Sequence, residues 1–137
     1  MKVVLTAAIF DLLHEGHIIL LKKMKKEGGK VVVVLHDDES CYRIKGKLPI
    51  QDVWQRMKNL YLSELADEVL ITKSIDPADQ FKKVVSWYDD ILFMRADDNK
   101  DFPGKWFIEK RGIPTKFAPY TKGVSSTEIK EHLCNLN

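Results

Sequence analysis

Lys30-Val31-Val32-Val33-Val34-Leu35-His36, entered through Gly28-Gly29, is the stretch that decides the fold. An unbroken, largely β-branched run of this length suits a strand buried on both faces, which is the signature of a parallel sheet. Just upstream, residues 16–26 carry Ile18, Ile19, Leu20, Leu21 and Met24 at helical spacing, with Lys22, Lys23, Lys25 and Lys26 on the solvated face. The glycine pair stops that helix as a C′ glycine does. Before it, Lys2–Ala8 is a second short apolar run, so the chain opens strand–helix–strand.

The alternation continues downstream. Residues 37–50 have no clear period, carry Arg43, Lys45, Gly46, Lys47 and Pro49, and read as a long functional loop with room for a short helix. A helix is expected over 51–65, with Val53, Trp54, Met57, Leu60 and Tyr61 on its apolar side. Glu68–Thr72 is a third strand, 77–87 a helix opened by Asp76-Pro77, and 91–94 a fourth strand. A short helix over 102–110 ends at Gly112, 115–118 is a fifth strand, and 125–133 a last helix. Trp54, Trp87 and Trp106 fall at helical positions and are expected in the core or at a dimer contact. Strands alternating with helices imply one parallel sheet covered on both faces, joined by right-handed crossovers. The expectation is an α/β, Rossmann-like, doubly wound five-stranded parallel sheet in a single domain over 1–137.

The chain has 137 residues, enough for one core. At 45% hydrophobic and 31% charged it is globular in composition, which excludes disordered and low-complexity classes. Lys+Arg is 22 against Asp+Glu 20; so even a balance argues against nucleic acid as a partner and leaves room for a small basic pocket. Cys41 and Cys134 lack metal-ligand or CxxC spacing, which suits free thiols in a reducing cytoplasm. No apolar run approaches the ~18 residues of a membrane span, and Met1-Lys2-Val3-Val4-Leu5 is too short for a signal-peptide apolar region.

Ligands of doubly wound sheets bind beyond the carboxyl ends of the strands. The first such loop reads Ala7-Ala8-Ile9-Phe10-Asp11-Leu12-Leu13-His14-Glu15-Gly16-His17. Two histidines three apart at a helix start share a side, next to free backbone N–H groups and the positive dipole end, where an anion is favoured. Gly16 leaves room for a phosphate near the backbone. A metal half-site, which needs a third ligand, and an ordinary polar helix start are the other readings of the pair.

Phe10-Asp11-Leu12-Leu13-His14-x-Gly16-His17 resembles the HxGH signature of the nucleotidylyltransferase superfamily. The lead-in is most similar to cytidylyltransferases that make CDP-alcohols, glycerol-3-phosphate cytidylyltransferases above all. Heptose adenylyltransferases and archaeal FAD synthetases share a similar lead-in. Lys45-Gly46-Lys47, Arg56 inside the next helix, Ala66-Asp67-Glu68-Val69, Met94 to Asp97-Asp98, and Thr121 with Gly123-Val124-Ser125-Ser126-Thr127 continue the likeness over nearly the whole chain.

The resemblance implies transfer of CMP from CTP to a glycerol 3-phosphate-like alcohol, with pyrophosphate released and Mg²⁺ on the nucleotide. An adenylyltransferase acting on a sugar phosphate or FMN, to which Arg43-Ile44-Lys45-Gly46-Lys47-x-Pro49 is similar, and a catalytically weakened nucleotide-binding protein are the alternatives. It also implies a homodimer. The acceptor phosphate is ionised near neutral pH, its second pKa being about 6, so no protein base is needed. The enzyme must supply alignment and charge stabilisation. By resemblance, His14 and His17 hold the triphosphate, while Ser125, supported by Ser126, Gly123 and Thr121, meets its outer phosphates. Ser125 also fits a helix cap, a compatible role. Lys45 and Lys47 contact phosphates of nucleotide or acceptor, or are solvated loop charges. Arg56 reaches the acceptor phosphate, or forms a surface salt bridge. Ile9 and Phe10 backbone lines ribose and base, and Asp97 or Asp98 binds base or ribose, or caps a loop. Asp11 braces the turn. Three departures stand out: Ala8-Ile9 where the family has Gly-Thr or Gly-Ser, Tyr120 where it has Arg, and Arg95-Ala96 where it has a single Gly before Asp97, which adds a residue and an arginine. Arg95 is expected to turn toward the histidine pocket and replace the charge missing at Tyr120.

Overall fold

The computed structural model describes residues 2–96 and 101–118. Its five strands are β1 (Lys2–Ala8), β2 (Lys30–His36), β3 (Glu68–Thr72), β4 (Asp90–Arg95) and β5 (Thr115–Phe117). They pair in parallel in the order β3-β2-β1-β4-β5. Five helices connect and cover them: α1 (Glu15–Lys26), α2 (Asp38–Lys45), α3 (Val53–Leu62), α4 (Ala78–Trp87) and α5 (Lys105–Lys110). The doubly wound parallel sheet read from the Val31–Leu35 run is present. The helix expected over 125–133 lies outside the described residues.

Burial on both sides of β2 is explained by two separate cores. Val31, Val33 and Leu35 join Val4, Leu20, Leu21, Met24 and Leu60 under α1 and α3. Val32 and Val34 join Val3, Leu5, Phe81, Val84 and Phe93 under α4 and α5. Strand alternation sends neighbours to opposite faces, so a run with no polar interruption is what two covers require. The order reverses between β1, which leads to β2 on one side, and β4 on the other. The crevice of such a sheet opens there, at the carboxyl end of β1.

Several boundaries differ from the sequence reading, each for a local reason. The short helix for which the 37–50 loop left room runs over 38–45, because Asp37 accepts the Ser40 N–H at 2.8 Å as its cap and Gly46, at φ 76°, ends it in the left-handed region. The 51–65 helix shortens to Val53–Leu62, capped by Asp52 through the Gln55 N–H and closed at Ser63 before Glu64 at φ 62°. Helix α5 starts at Lys105 because Gly104 sits at φ 85°. A Cβ there would lie 2.7 Å from Phe81 Cε2, so this turn excludes a side chain on steric grounds as well. The tryptophans correct the expectation of a core role: Trp54, Trp87 and Trp106 are 64%, 53% and 49% exposed. No helix among the described residues is long and apolar enough to cross a membrane.

Candidate active site

The chain leaves β1 through two left-handed, non-glycine residues, Phe10 at φ 51° and Leu12 at φ 52°. Each such backbone costs about 1–2 kcal/mol, so the loop must be held from outside. Asp11, buried between them, does this. Its Oδ2 accepts the Ile50 N–H at 2.8 Å and its Oδ1 the Gln51 N–H at 3.0 Å. Gln51 Oε1 answers by accepting the Leu12 N–H at 3.2 Å. The loop after β1 is thereby tied to the segment between α2 and α3.

At the start of α1 the two histidines form a reciprocal cap. His14 is the N-cap, its Nδ1 accepting the Gly16 N–H at 3.1 Å. His17, one turn on, accepts the His14 N–H on its own Nδ1 at 3.3 Å. This is a capping box with imidazoles in the places usually held by a hydroxyl and a carboxamide or carboxylate. The rings stack at 3.7 Å between centroids, and Phe10 meets His17 edge-on at 5.0 Å. A backbone N–H can only donate, so both Nδ1 atoms act as lone-pair acceptors. Each neutral ring then carries its proton on Nε2, the opposite edge. Burial, followed by neighbouring His14, pushes the His17 pKa down to about 3; the Asp11 carboxylate opposes the shift and Lys45 adds to it. His17 is therefore neutral throughout the physiological range, and a neutral Nε2–H is still a donor.

The structure brings together His14, Gly16, His17, Phe10 and the backbone of Ile9, with Lys45 close enough for its charge to act on His17. Lys45 ends α2. Lys47 lies beyond Gly46, exposed, its carbonyl accepting the buried Cys41 thiol at 3.8 Å. Asp97, Thr121, Gly123, Ser125 and Ser126, along with Tyr120, lie outside the described residues.

Two placements correct the sequence reading. Arg56 was expected at the acceptor phosphate or on the surface; it is fully buried. Its Nε donates to the Gln51 carbonyl at 3.0 Å, and one terminal nitrogen to the carbonyls of Ile9 and His36, both at 2.8 Å. The other meets Asp38 Oδ1 at 2.8 Å. Four of its five N–H donors are given to these protein acceptors, which makes it a brace. Arg95 was expected to turn to the histidines. It follows Phe93 by two on β4, on the face that carries α4 and α5, and its guanidinium lies 4.1 Å from the Phe102 ring centroid. Alternation along the strand puts it on the far side of the sheet from α1.

Asp38 and Gln51 are the contributors that sequence reading missed. One signal was available for the brace. Arg56 stands on α3 between Val53 and Leu60, at spacings of three and four, in a stripe that is otherwise buried. A charge in an apolar stripe points inward to a set of acceptors. Nearby His36 is buried too, its Nδ1 2.7 Å from Ser40 Oγ, which in turn donates to the Ser74 carbonyl at 3.0 Å. Burial lowers its pKa.

A doubly wound sheet whose first helix begins with a reciprocal histidine cap, at the carboxyl end of the strand where the order reverses, is the architecture of the α/β nucleotidyltransferases. The chain belongs to the cytidylyltransferase-like family, which it matches over residues 5–132. Among its relatives is a bifunctional protein HldE from Yersinia enterocolitica, 32% identical over 136 residues, a match covering 98% of this chain and 28% of that protein. The bifunctional protein HldE of Yersinia pestis is 31% identical over 137 residues, with the same coverage. The chain thus spans a little over a quarter of the length of the curated relatives it matches. Among solved structures, a lipopolysaccharide core biosynthesis protein from Thermoplasma volcanium superposes with a TM-score of 0.66 at 30% identity, covering 90% of this chain and 99% of that one.

Proposed function

We propose that this chain transfers a nucleotidyl group from a nucleoside triphosphate to the phosphate of a small hydroxylated acceptor. An acceptor phosphate oxygen attacks the α-phosphorus, the bond from that phosphorus to the α–β bridging oxygen breaks, and pyrophosphate leaves with the electron pair. No proton has to move, because the attacking oxygen is already ionised. The observation that carries this reading is the reciprocal imidazole cap. It aims two desolvated, neutral Nε2–H donors away from the helix they cap, at its positive end, and donors fixed before the reaction stabilise charge that develops on the α-phosphate without reorganising. Lys45 supplies full positive charge at the rim. Among the described residues no group of three or more His, Cys, Asp or Glu could hold a metal ion. On this reading Mg²⁺ would arrive with the triphosphate and offset part of its charge.

For the substrates, ATP and a sugar phosphate are the favoured pair. The Arg43-Ile44-Lys45-Gly46-Lys47-x-Pro49 stretch supports it, as does the likeness to a lipopolysaccharide core biosynthesis protein. The second reading, CTP with glycerol 3-phosphate, rests on the Phe10-Asp11-Leu12-Leu13-His14 lead-in. Pyrophosphate release with each nucleotide against sugar 1-phosphates, FMN and glycerol 3-phosphate separates them. Turnover with ATP and a sugar phosphate is expected; turnover confined to CTP and glycerol 3-phosphate selects the second. Tight triphosphate binding with no turnover on any acceptor would overturn both in favour of a binding protein.

A further inference from the structure

We propose that Arg56 is a positioning residue that sets the orientation of the Ile9–Phe10 peptide, so that the Phe10 N–H faces the bound triphosphate. The buried guanidinium holds the carbonyls of Ile9 and His36 on a single nitrogen, both at 2.8 Å. Cis peptide bonds are absent from the described residues, and in a trans peptide the C=O and the following N–H point in opposite directions. The His36–Asp37 peptide shows the consequence. Its carbonyl faces Arg56, and its N–H faces away to reach the Thr72 carbonyl at 3.0 Å. The Ile9–Phe10 peptide is held by the same nitrogen, and β1 lies next to β2 in the sheet. Its N–H also faces away from Arg56, at the carboxyl end of β1, where the crevice opens.

The backbone there is not one the chain would choose unaided. Phe10 is left-handed at φ 51° and its ring is fixed edge-on against His17. Without the guanidinium, a peptide flip would release that strain and turn a carbonyl oxygen toward the phosphates, replacing a donor by a repelling dipole. Lysine cannot substitute. It offers one nitrogen where Arg56 uses three, to reach Gln51, Ile9, His36 and Asp38.

This inference rests on the nucleotidyl-transfer reading, and the two can fail separately. The first test follows the Phe10 amide of the ¹⁵N-labelled full chain by NMR during titration with Mg²⁺-ATP, or with Mg²⁺-CTP if that is the donor turned over. The resonance is expected to move to saturation along with those of Gly16 and His17. If Gly16 and His17 respond while Phe10 stays still, the inference is wrong, whatever the turnover. If all three respond but no acceptor is turned over, the functional reading fails and this one stands. The second test is steady-state kinetics of Arg56→Lys. A positioning role predicts kcat lower by about 10-fold or more and a raised KM for the nucleotide, with acceptor KM unchanged. A selective rise in acceptor KM would return Arg56 to the acceptor phosphate and overturn the proposal. Should Arg56→Lys not fold, the NMR titration of the unaltered chain decides alone.

Discussion

Lowering the pH should unfold this protein partly through His17, by an amount the structure sets. In the unfolded chain the imidazole titrates at its ordinary value of 6.5; in the folded chain it titrates at about 3, held down by burial and by His14 and Lys45 against the pull of Asp11. Between those values the unfolded state binds the extra proton, so stability falls as pH falls; above the unfolded value the contribution is complete. Each pH unit is worth about 1.4 kcal/mol, and by about pH 5 the loss is about 2 kcal/mol, a large share of a typical domain's stability. Other carboxylates and histidines titrate in the same window, so the measurement is a difference. Urea denaturation of the wild type and of His17→Gln, each at about pH 8 and about pH 5, isolates the contribution. Gln at this position keeps an oxygen that can accept the His14 N–H and cannot titrate. The variant should lose about 2 kcal/mol less than the wild type over that interval. Equal losses in the two proteins would refute the buried neutral imidazole, and with it the fixed Nε2–H donor.

Three other perturbations follow from the same geometry. His14→Asn keeps an N-cap and should leave the melting temperature nearly unchanged while lowering kcat by about 10²-fold; His14→Ala should in addition cost about 1 kcal/mol in denaturant melts. Asp11→Ala strands the N–H groups of Ile50 and Gln51 and frees the strained Phe10–Leu12 turn; a loss of about 3 kcal/mol by thermal unfolding is expected, with nucleotide affinity, measured by calorimetry, falling alongside it. Gly104→Ala puts a Cβ 2.7 Å from Phe81 Cε2 at a positive φ and should cost more than about 1 kcal/mol by the same assay, with the pyrophosphate-release rate at low temperature unchanged because α5 is remote from the histidines.

The sheet was legible because a parallel strand buried on both faces needs a run such as Val31–Leu35, and few other structures do. The histidine pair was legible as a helix start because spacing is a local property, and the structure shows the two rings as a reciprocal cap there. Arg56 was misread for the opposite reason. Its partners, Ile9, His36 and Asp38, lie 47, 20 and 18 residues away in sequence, and only the closed fold brings three carboxyl-end loops around one side chain. Trp54 was misread because amphipathic spacing does not fix where the buried stripe ends. Val53, Arg56 and Leu60 face the core, and Trp54, one step round the helix from Val53, faces solvent. Arg95 was assigned by the need for a charge, when strand parity with Phe93 already placed it on the other face.

Imidazole lets a helix cap donate outward in a fixed direction. An aspartate or glutamate cap would bring negative charge toward a phosphate, and a capping serine keeps only a freely rotating O–H to donate. An imidazole has nitrogens on opposite edges of a rigid ring. Nδ1 can accept from the backbone while Nε2–H is directed outward, so ordering the helix also aims the donor. Because that ring is neutral, burying it costs far less than burying an ammonium or a guanidinium. The charge it lacks is carried where water still reaches, by exposed Lys45 at the rim. Under the proposed function, stability and catalysis meet at His17: the burial that makes it a poor base, and an acid-labile element of the fold, also keeps the ring neutral and its Nε2–H a donor at neutral pH.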